Sequence, residues 1–413
     1  MRLEGRTTDM RESDRTAFSG AGARTACFLV LAAAALGGCN PAGVGIPVVP
    51  GAPPAAQGPQ PPNAEVSEVI GSGPIKLALI APLTQASGPS NVGAALRNAA
   101  ALAYADSGSN DVSILVKDDH SSAQGAAAAA QAAIGEGAEI ILGPVFAPNV
   151  REATRVARAA GKPVIAFSTD SSAASRGSYL LSFLVENYVE RIVDFAAQRG
   201  KKSAAALVPE SDYGQIALGA FQQSAANHGL RVVTIERYKP GASGEAVKRV
   251  GAVAEQIDLL FVPESAEGMI AVAHELAAAN LAGPRVQIIG TGLWNDPRAL
   301  KNQALQGAWF SAPDNSGFNA FAARYRAKFN VDPPRIATQA YDAVSLSIAL
   351  AKSQGSQRFA ENALTNPSGF NGADGVFRFR SDGTSDRGLS VLEIVGGQAR
   401  VLSPAPRTLG NGA

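Results

Sequence analysis

The sequence predicts an α/β protein whose parallel sheets are covered by helices on both faces and whose chain closes with antiparallel strands. Three observations predict it. Short apolar runs alternate with amphipathic stretches in units of roughly 25 to 35 residues, the length that a strand, a helix and two turns require. Helix, terminating glycine and strand recur in that order, with Gly161 before 163–167, Gly200 before 204–208 and Gly229 before 231–235. Near the C-terminus, Asp382-Gly383 and Gly396-Gly397 stand between strand-like runs, which is hairpin chemistry.

In order along the chain, 75–80 reads as a buried strand that stops at Ala81-Pro82-Leu83-Thr84. An alanine-rich helix follows over 92–107, a strand over 112–116, a helix over 122–135 and a strand over 139–142 closed by Gly143-Pro144. Asn149 with Glu152 three residues later is a capping box, so a helix is expected to open there with Val150, Ala153, Val156, Ala157 and Ala160 on its apolar face. Strands are expected again over 163–167, 204–208 and 231–235, and the terminal ones over 375–380, 391–395 and 398–402. With 413 residues, the chain is long enough for two compact lobes.

The first 73 residues are different in kind. Arg24 precedes an apolar run from Ala26 to Leu36, too short to span a bilayer permanently and suited to a signal peptide, and Leu36-Gly37-Gly38-Cys39 follows it. That tetrapeptide resembles the bacterial lipobox, which implies cleavage before Cys39 and lipidation of it. Cys27 and Cys39 are the only cysteines, so the expected mature chain holds no internal disulfide. Asn40, where an inner-membrane lipoprotein of enteric bacteria would carry aspartate, favours the periplasmic face of the outer membrane. From Asn40 to Gly73 the sequence is rich in Pro, Gly and Ala without apolar periodicity, and it is expected to be an extended tether reaching on the order of 100 Å.

Composition excludes several classes. The chain has 36 basic and 35 acidic residues, and removal of 1–38 takes five arginines and four acids, leaving a neutral mature protein with no basic stripe for nucleic acid. His120, His228 and His274 lack metal-ligand spacing, and neither a G-x-S-x-G elbow, an S-x-x-K motif nor a phosphate-binding G-x-x-x-x-G-K-[ST] loop occurs. No catalytic activity, metal or cofactor is expected. Lys117-Asp118-Asp119-His120 reads as solvated residues at a strand end rather than a metal site. Trp294 is either a cleft aromatic or a packing residue. Segments 81–87, 143–149, 166–172, 210–214, 263–267 and 290–295 all fall at carboxyl ends of expected strands, where open α/β sheets bind ligands.

At Ile75–Thr84, Ile141–Phe146, Gly161–Ile165, Ser211–Gly214, Arg237–Gly241 and Ile289–Gly292, the chain resembles the type I periplasmic binding proteins. The likeness covers about 74–402 and is to the leucine/isoleucine/valine-binding receptors of ABC transporters. It implies two Rossmann-like lobes joined by a three-crossing hinge that close over a small polar ligand, an amino acid or similar. The implied organisation is a signal peptide over 1–38, the tether over 39–73, lobe 1 over 74–183, lobe 2 over 184–310 and a return to lobe 1 over 311–374. Terminal strands at the hinge and lobe 2 follow over 375–402, then a disordered tail over 403–413.

Carried over by position, Tyr213 covers the ligand, and Ser168, Thr169 and Asp170 stand at the hydroxyl and amide segment that holds its carboxylate, with Asp170 a departure whose charge repels a carboxylate. Phe146 and Ala147 stand at the family's serine-rich loop, Ser265 at its second aromatic position, and Gly292 at the acid that pairs the ligand's ammonium. The lipobox, the tether and Ile165–Asp170 also resemble lipoproteins of this fold that activate penicillin-binding proteins. Two partners are therefore open: an ABC permease, slightly ahead, or a peptidoglycan synthase. The chain is expected in the periplasm, lipid-anchored.

Overall fold

The computed structural model describes residues 68–409 apart from Pro284; the signal peptide, Cys39, most of the tether and the end of the C-terminal tail lie outside the described residues. Lobe 1 begins with β1 (Glu68–Gly71), β2 (Ile75–Ala81), a small hairpin of β3 (Thr84–Gln85) and β4 (Gly88–Pro89), and α1 (Asn91–Ser107). It continues through β5 (Val112–Asp118), α2 (Ala123–Gly135), β6 (Ile140–Leu142), α3 (Ala147–Ala159), β7 (Val164–Ala166) and β8 (Ser178–Leu180). Lobe 2 holds α4 (Val185–Gln198), β9 (Ser203–Pro209), α5 (Asp212–Asn227), β10 (Arg231–Tyr238), α6 (Gly244–Ala252) and β11 (Leu259–Phe261). After these come α7 (Gly268–Ala278), β12 (Gln287–Gly290), α8 (Pro297–Leu300) and β13 (Trp309–Ala312). The chain then returns to lobe 1 with α9 (Asn315–Phe329), α10 (Ala337–Ser353), α11 (Glu361–Leu364), β14 (Phe370–Gly372), β15 (Gly375–Phe379) and β16 (Ser385–Arg387). It ends in lobe 2 with β17 (Ser390–Val395) and β18 (Gln398–Ser403).

Both lobes repeat one plan. The parallel strands of lobe 1 run in the order β5-β2-β6-β7-β8, and those of lobe 2 in the order β10-β9-β11-β12-β13. Each is the second-first-third-fourth-fifth arrangement of a doubly wound sheet, whose ligand crevice lies at the carboxyl ends beside the first strand. Alternation along each strand sorts the core. Leu77 and Leu79 face α1, α9 and α10, while Ala78 and Ile80 face α2 and α3, where alanines at 126, 130 and 153 allow close approach. In lobe 2, Ala204, Ala206 and Val208 face α4 and α5, and Ala205 and Leu207 face α6 and α7.

Three crossings join the lobes: 181–184 between β8 and α4, 313–314 between β13 and α9, and 388–389 between β16 and β17. Antiparallel β17 and β18 extend the lobe 2 sheet, and the turn between them takes Gly396 and Gly397 at φ of 59° and 79°, the left-handed backbone that makes this pair of residues a hairpin turn.

Three expectations are corrected. The tether does not extend to 73, because Glu68–Gly71 pairs antiparallel with the open edge of β5 and Glu68 binds Arg97. The capping box at Asn149 does not form: α3 begins two residues earlier with Pro148 in its first turn, a position that suits a residue lacking N–H, and Asn149 donates instead to Asp119 at 2.9 Å. The strands from 375 do not all belong to the hinge and lobe 2: Asp382-Gly383 makes the expected hairpin, between β15 and the three-residue β16, and β15 packs into the lobe 1 core through Phe377 and Phe379.

Candidate functional site

The rim of lobe 1 is set by two acids, Asp118 partly buried and Asp119 fully. Asp118 at the end of β5 accepts from Leu83 N at 3.0 Å and from the Thr84 hydroxyl at 2.6 Å, fixing the loop after β2. Asp119 is buried and accepts from Ser121 N and the Asn149 amide; burial raises its pKa. Lys117 is buried too and donates to Glu136 at 2.6 Å. The reading of 117–120 as solvated is therefore wrong for Lys117 and the two aspartates, which staple loops. No group of His, Cys, Asp and Glu able to hold a metal occurs among the described residues.

Phe146 stands at the start of α3, 46% exposed, with Ala147 partly exposed beside it. After β7, Ser168 is buried with its hydroxyl accepting from Asp170 N at 3.2 Å, while Thr169 is exposed. Asp170 turns back on its own segment. It caps the 3-10 turn Ser171–Ala173 by accepting from Ser172 N, and its second oxygen accepts from Arg151 at 3.2 Å. The Ser172 bond holds its carboxyl below the usual range.

On lobe 2, the Ser211 hydroxyl caps α5 and Tyr213 lies in its first turn. The Tyr213 hydroxyl donates to Thr291 Oγ1 at 2.7 Å, and burial pushes its pKa up to about 12, with the Glu186 charge adding to the shift. Gly292 begins the 3-10 turn Gly292–Trp294, and a Cβ there would sit 2.5 Å from the Tyr188 ring. Leu293 is 39% exposed on this rim. Ser265 is occupied elsewhere, donating to Glu264 at 2.9 Å and accepting from Gly268 N at the start of α7. Trp294 is fully buried, its indole N–H donating to the Glu264 carbonyl at 3.1 Å, so it packs the core and is no cleft aromatic.

The two rims meet at Glu186, in the first turn of α4. Its Oε1 accepts from the Ser171 hydroxyl at 2.6 Å, so a lobe 2 carboxylate is bound to the lobe 1 segment that carries Ser168, Thr169 and Asp170. Tyr213, Thr291, Gly292, Tyr188 and Glu186 thus form one group. The contacts do not tie Phe146, Ala147 or Ser265 to it. Sequence reasoning passed over Glu186 because an acid in a helix's first turn is ordinarily read as balancing the helix dipole.

The hinge carries a second polar group. Phe183 in the first crossing stacks on Tyr188 at 6.3 Å, and the guanidinium of Arg387, just before the third crossing, lies 4.2 Å from the Phe183 centroid. Arg387 Nε donates to the Ser182 carbonyl at 3.4 Å, whereas both terminal nitrogens lack a hydrogen-bond partner among the described residues. Arg335 pairs bidentately with the buried Asp374 at 2.8 and 2.7 Å and also donates to Asn315, next to the second crossing. These two arginines link the crossings to one another.

Two sheets of identical order, three crossings and polar groups converging between the lobes describe a hinged receptor. The profile of the periplasmic binding protein family matches residues 74–399. The chain belongs to that family. Solved structures agree on the fold. This periplasmic binding protein is similar to one named for a branched-chain amino acid ABC transporter of Rhodospirillum rubrum, at 19% identity and a TM-score of 0.70, covering 79% of this chain and 99% of that one. A leucine-binding protein of Thermotoga maritima is 19% identical with a TM-score of 0.54, over 80% of this chain and 98% of that one. A solute-binding protein of an ABC transporter from Rhodopseudomonas palustris, in complex with 3,4-dihydroxybenzoic acid, is 20% identical with a TM-score of 0.55, over 80% and 96%. No curated protein matches the chain. The family consists of solute receptors of the periplasm, and among the described residues of this member no helix is long and apolar enough to cross a membrane.

Proposed function

We propose that this chain is the receptor of an ABC-type importer, an exported lipoprotein anchored through Cys39 that binds an amino acid or similar small solute between its lobes and delivers it to a permease. The observation that carries this reading is the convergence of hydroxyl and carboxylate groups from both lobes around Glu186, Ser171, Tyr213 and Thr291, at the carboxyl ends of two doubly wound sheets. Ser168, Thr169 and Tyr213 are the residues proposed to touch the polar part of the solute. Phe146 and Ala147 on one rim and Leu293 on the other offer apolar surface to its body. Asp170, Ser265 and Gly292 act at one remove, by fixing the loops that bear the contacts.

The lipobox supports the lipid anchor, and Asn40 supports the outer membrane as its place. The peptidoglycan-synthase reading is not favoured: the three structural neighbours described above are named for transporters or for the solutes they bind. A thermal-shift panel of amino acids and small carboxylic acids tests the proposal. A solute present at 100 times its dissociation constant stabilises the protein by about 2.7 kcal/mol, which the assay resolves. Absence of any shift across the panel would sink the receptor reading.

A further inference from the structure

We propose that a cavity beside the hinge is a second binding site, separate from the cleft between the lobes, and that it takes a small oxyanion, a phosphate or an organic dicarboxylate. The cavity measures about 590 Å³, and three parts of the chain line it. Asn187, Glu190, Arg191 and Asp194 follow the three- and four-residue spacing of one helix face, on α4 in lobe 2. Arg378 of β15, Arg380 just after it, and Asp386 and Arg387 of β16 line it from lobe 1. The chain after β18 supplies the third side with Pro406, Thr408 and Leu409, and the bond from Ala405 N to Ser390 Oγ at 2.9 Å holds it against the start of β17. None of these residues belongs to the group formed by Glu186, Tyr188, Tyr213, Thr291 and Gly292.

The charges of the lining do not balance. Four arginines stand against three acids, and His228 at the end of α5 adds a ring nitrogen. One carboxylate, Asp386, is shared by Arg378 and Arg380. Asp194 accepts from Gln198 at 2.9 Å and stands 3.9 Å from Arg191, too far for a hydrogen bond. Arg387 lies within the wall between the rings of Phe183 and Phe377, and both its terminal nitrogens lack a hydrogen-bond partner among the described residues. Burial lowers the pKa of Arg191 and of Arg387, as it does for cations whose lost hydration is not fully offset by counter-charge. An oxyanion supplies that counter-charge, and its oxygens accept in pairs from the planar fork of a guanidinium. No aromatic ring lines the cavity, so a nucleobase would find no surface to stack on. With arginines on α4 and on β15–β16, a single ion here is held from both lobes.

The test is a calorimetric titration of the whole chain with sodium phosphate and with sodium succinate, at an ionic strength held constant with sodium chloride. Saturable binding of at least one of them is expected, with a dissociation constant below about 1 mM. Which of the two binds more tightly tells an inorganic ion from an organic acid. Arg380→Gln on the lobe 1 side should weaken that binding at least tenfold. Glu190→Gln on the lobe 2 side removes a charge of the ion's own sign and should tighten it at least threefold. Both side chains are exposed, so neither change disturbs the core, and effects of opposite direction do not arise from general destabilisation. Absence of saturable binding by either ion would overturn the proposal, as would equal affinity in wild type and Arg380→Gln. Binding that is lost in Tyr213→Ala and kept in Arg380→Gln would put the ion in the cleft, which overturns the second site and leaves the receptor reading standing.

Discussion

The Tyr213 hydroxyl donates to Thr291 Oγ1 across 2.7 Å, tying the first turn of α5 to the end of β12 and fixing the ring at the lobe 2 rim. Aromatic side chains give much contact area at small entropic cost, so a ring pinned this way is a preorganised cover. Tyr213→Ala should weaken solute binding at least tenfold while the far-ultraviolet circular dichroism stays unchanged. Tyr213→Phe keeps the ring and loses only the tether, and its affinity should fall by less than the alanine variant's. Titration calorimetry on the three proteins checks the order; equal affinity in Tyr213→Ala would show that this ring does not touch the solute.

Gly292 is a steric requirement. With Tyr188 Cε1 2.5 Å from where a Cβ would be built, Gly292→Ala forces the ring or the turn to move, and overpacking of this kind costs about 1–3 kcal/mol. A lowered melting temperature is expected, together with weaker binding because Gly292 follows Thr291, which holds the Tyr213 hydroxyl. A melting temperature equal to wild type would mean that the ring yields freely.

Asp342 gives the protein a pH dependence of unusual sign for an aspartate. It is buried in α10, and burial pushes its pKa up to about 7 against the pull of Arg387 and of the bond from Ala373 N. An unfolded chain releases this proton near pH 4, so the folded state binds more protons between about pH 4 and 7. The stabilisation is complete below that window and is lost as pH rises through it, a change on the order of 4 kcal/mol for a shift of this size. Urea unfolding at half-unit steps from pH 4.5 to 8 should show a steeper loss for wild type than for Asp342→Asn. Parallel curves would place the Asp342 pKa near its ordinary value.

Local signals carried most of the fold. Apolar runs, terminating glycines and the Gly-Gly turn mark the strands and helices to within three residues, because each depends on neighbours in sequence. What escaped reading depends on partners far away: β1 exists through its pairing with β5, and Asn149 serves Asp119, 30 residues upstream, instead of capping α3. The site divides the same way. Tyr213 follows a visible helix cap, whereas Glu186 gains significance only from Ser171 on the other lobe and from an oxygen without a partner. No spacing rule encodes that meeting.

Arg387 and Asp342 belong to different elements, yet each offsets the other's burial. Burial draws the arginine's pKa down while Asp342 and Asp374 hold it up, and the arginine in turn lowers that of Asp342. Both carry terminal atoms without hydrogen-bond partners among the described residues, so their attraction acts through space with no direct bond to complete it. Removing one partner of such a pair leaves an uncompensated buried charge, whereas removing both replaces it with neutral packing. Arg387→Met should therefore destabilise the protein and move the pH-dependent loss upward, since Asp342 then loses the cation that lowers its pKa. Asp342→Asn added to that variant should recover part of the loss, giving a coupling of about 0.5–3 kcal/mol in a double-mutant cycle. Solute affinity read on the same four proteins tests the hinge role, because the Arg387 guanidinium also packs on Phe183 in the first crossing. The pair acts only in folding if the cycle shows coupling in stability and none in affinity; coupling in both would mean that it biases closure of the lobes.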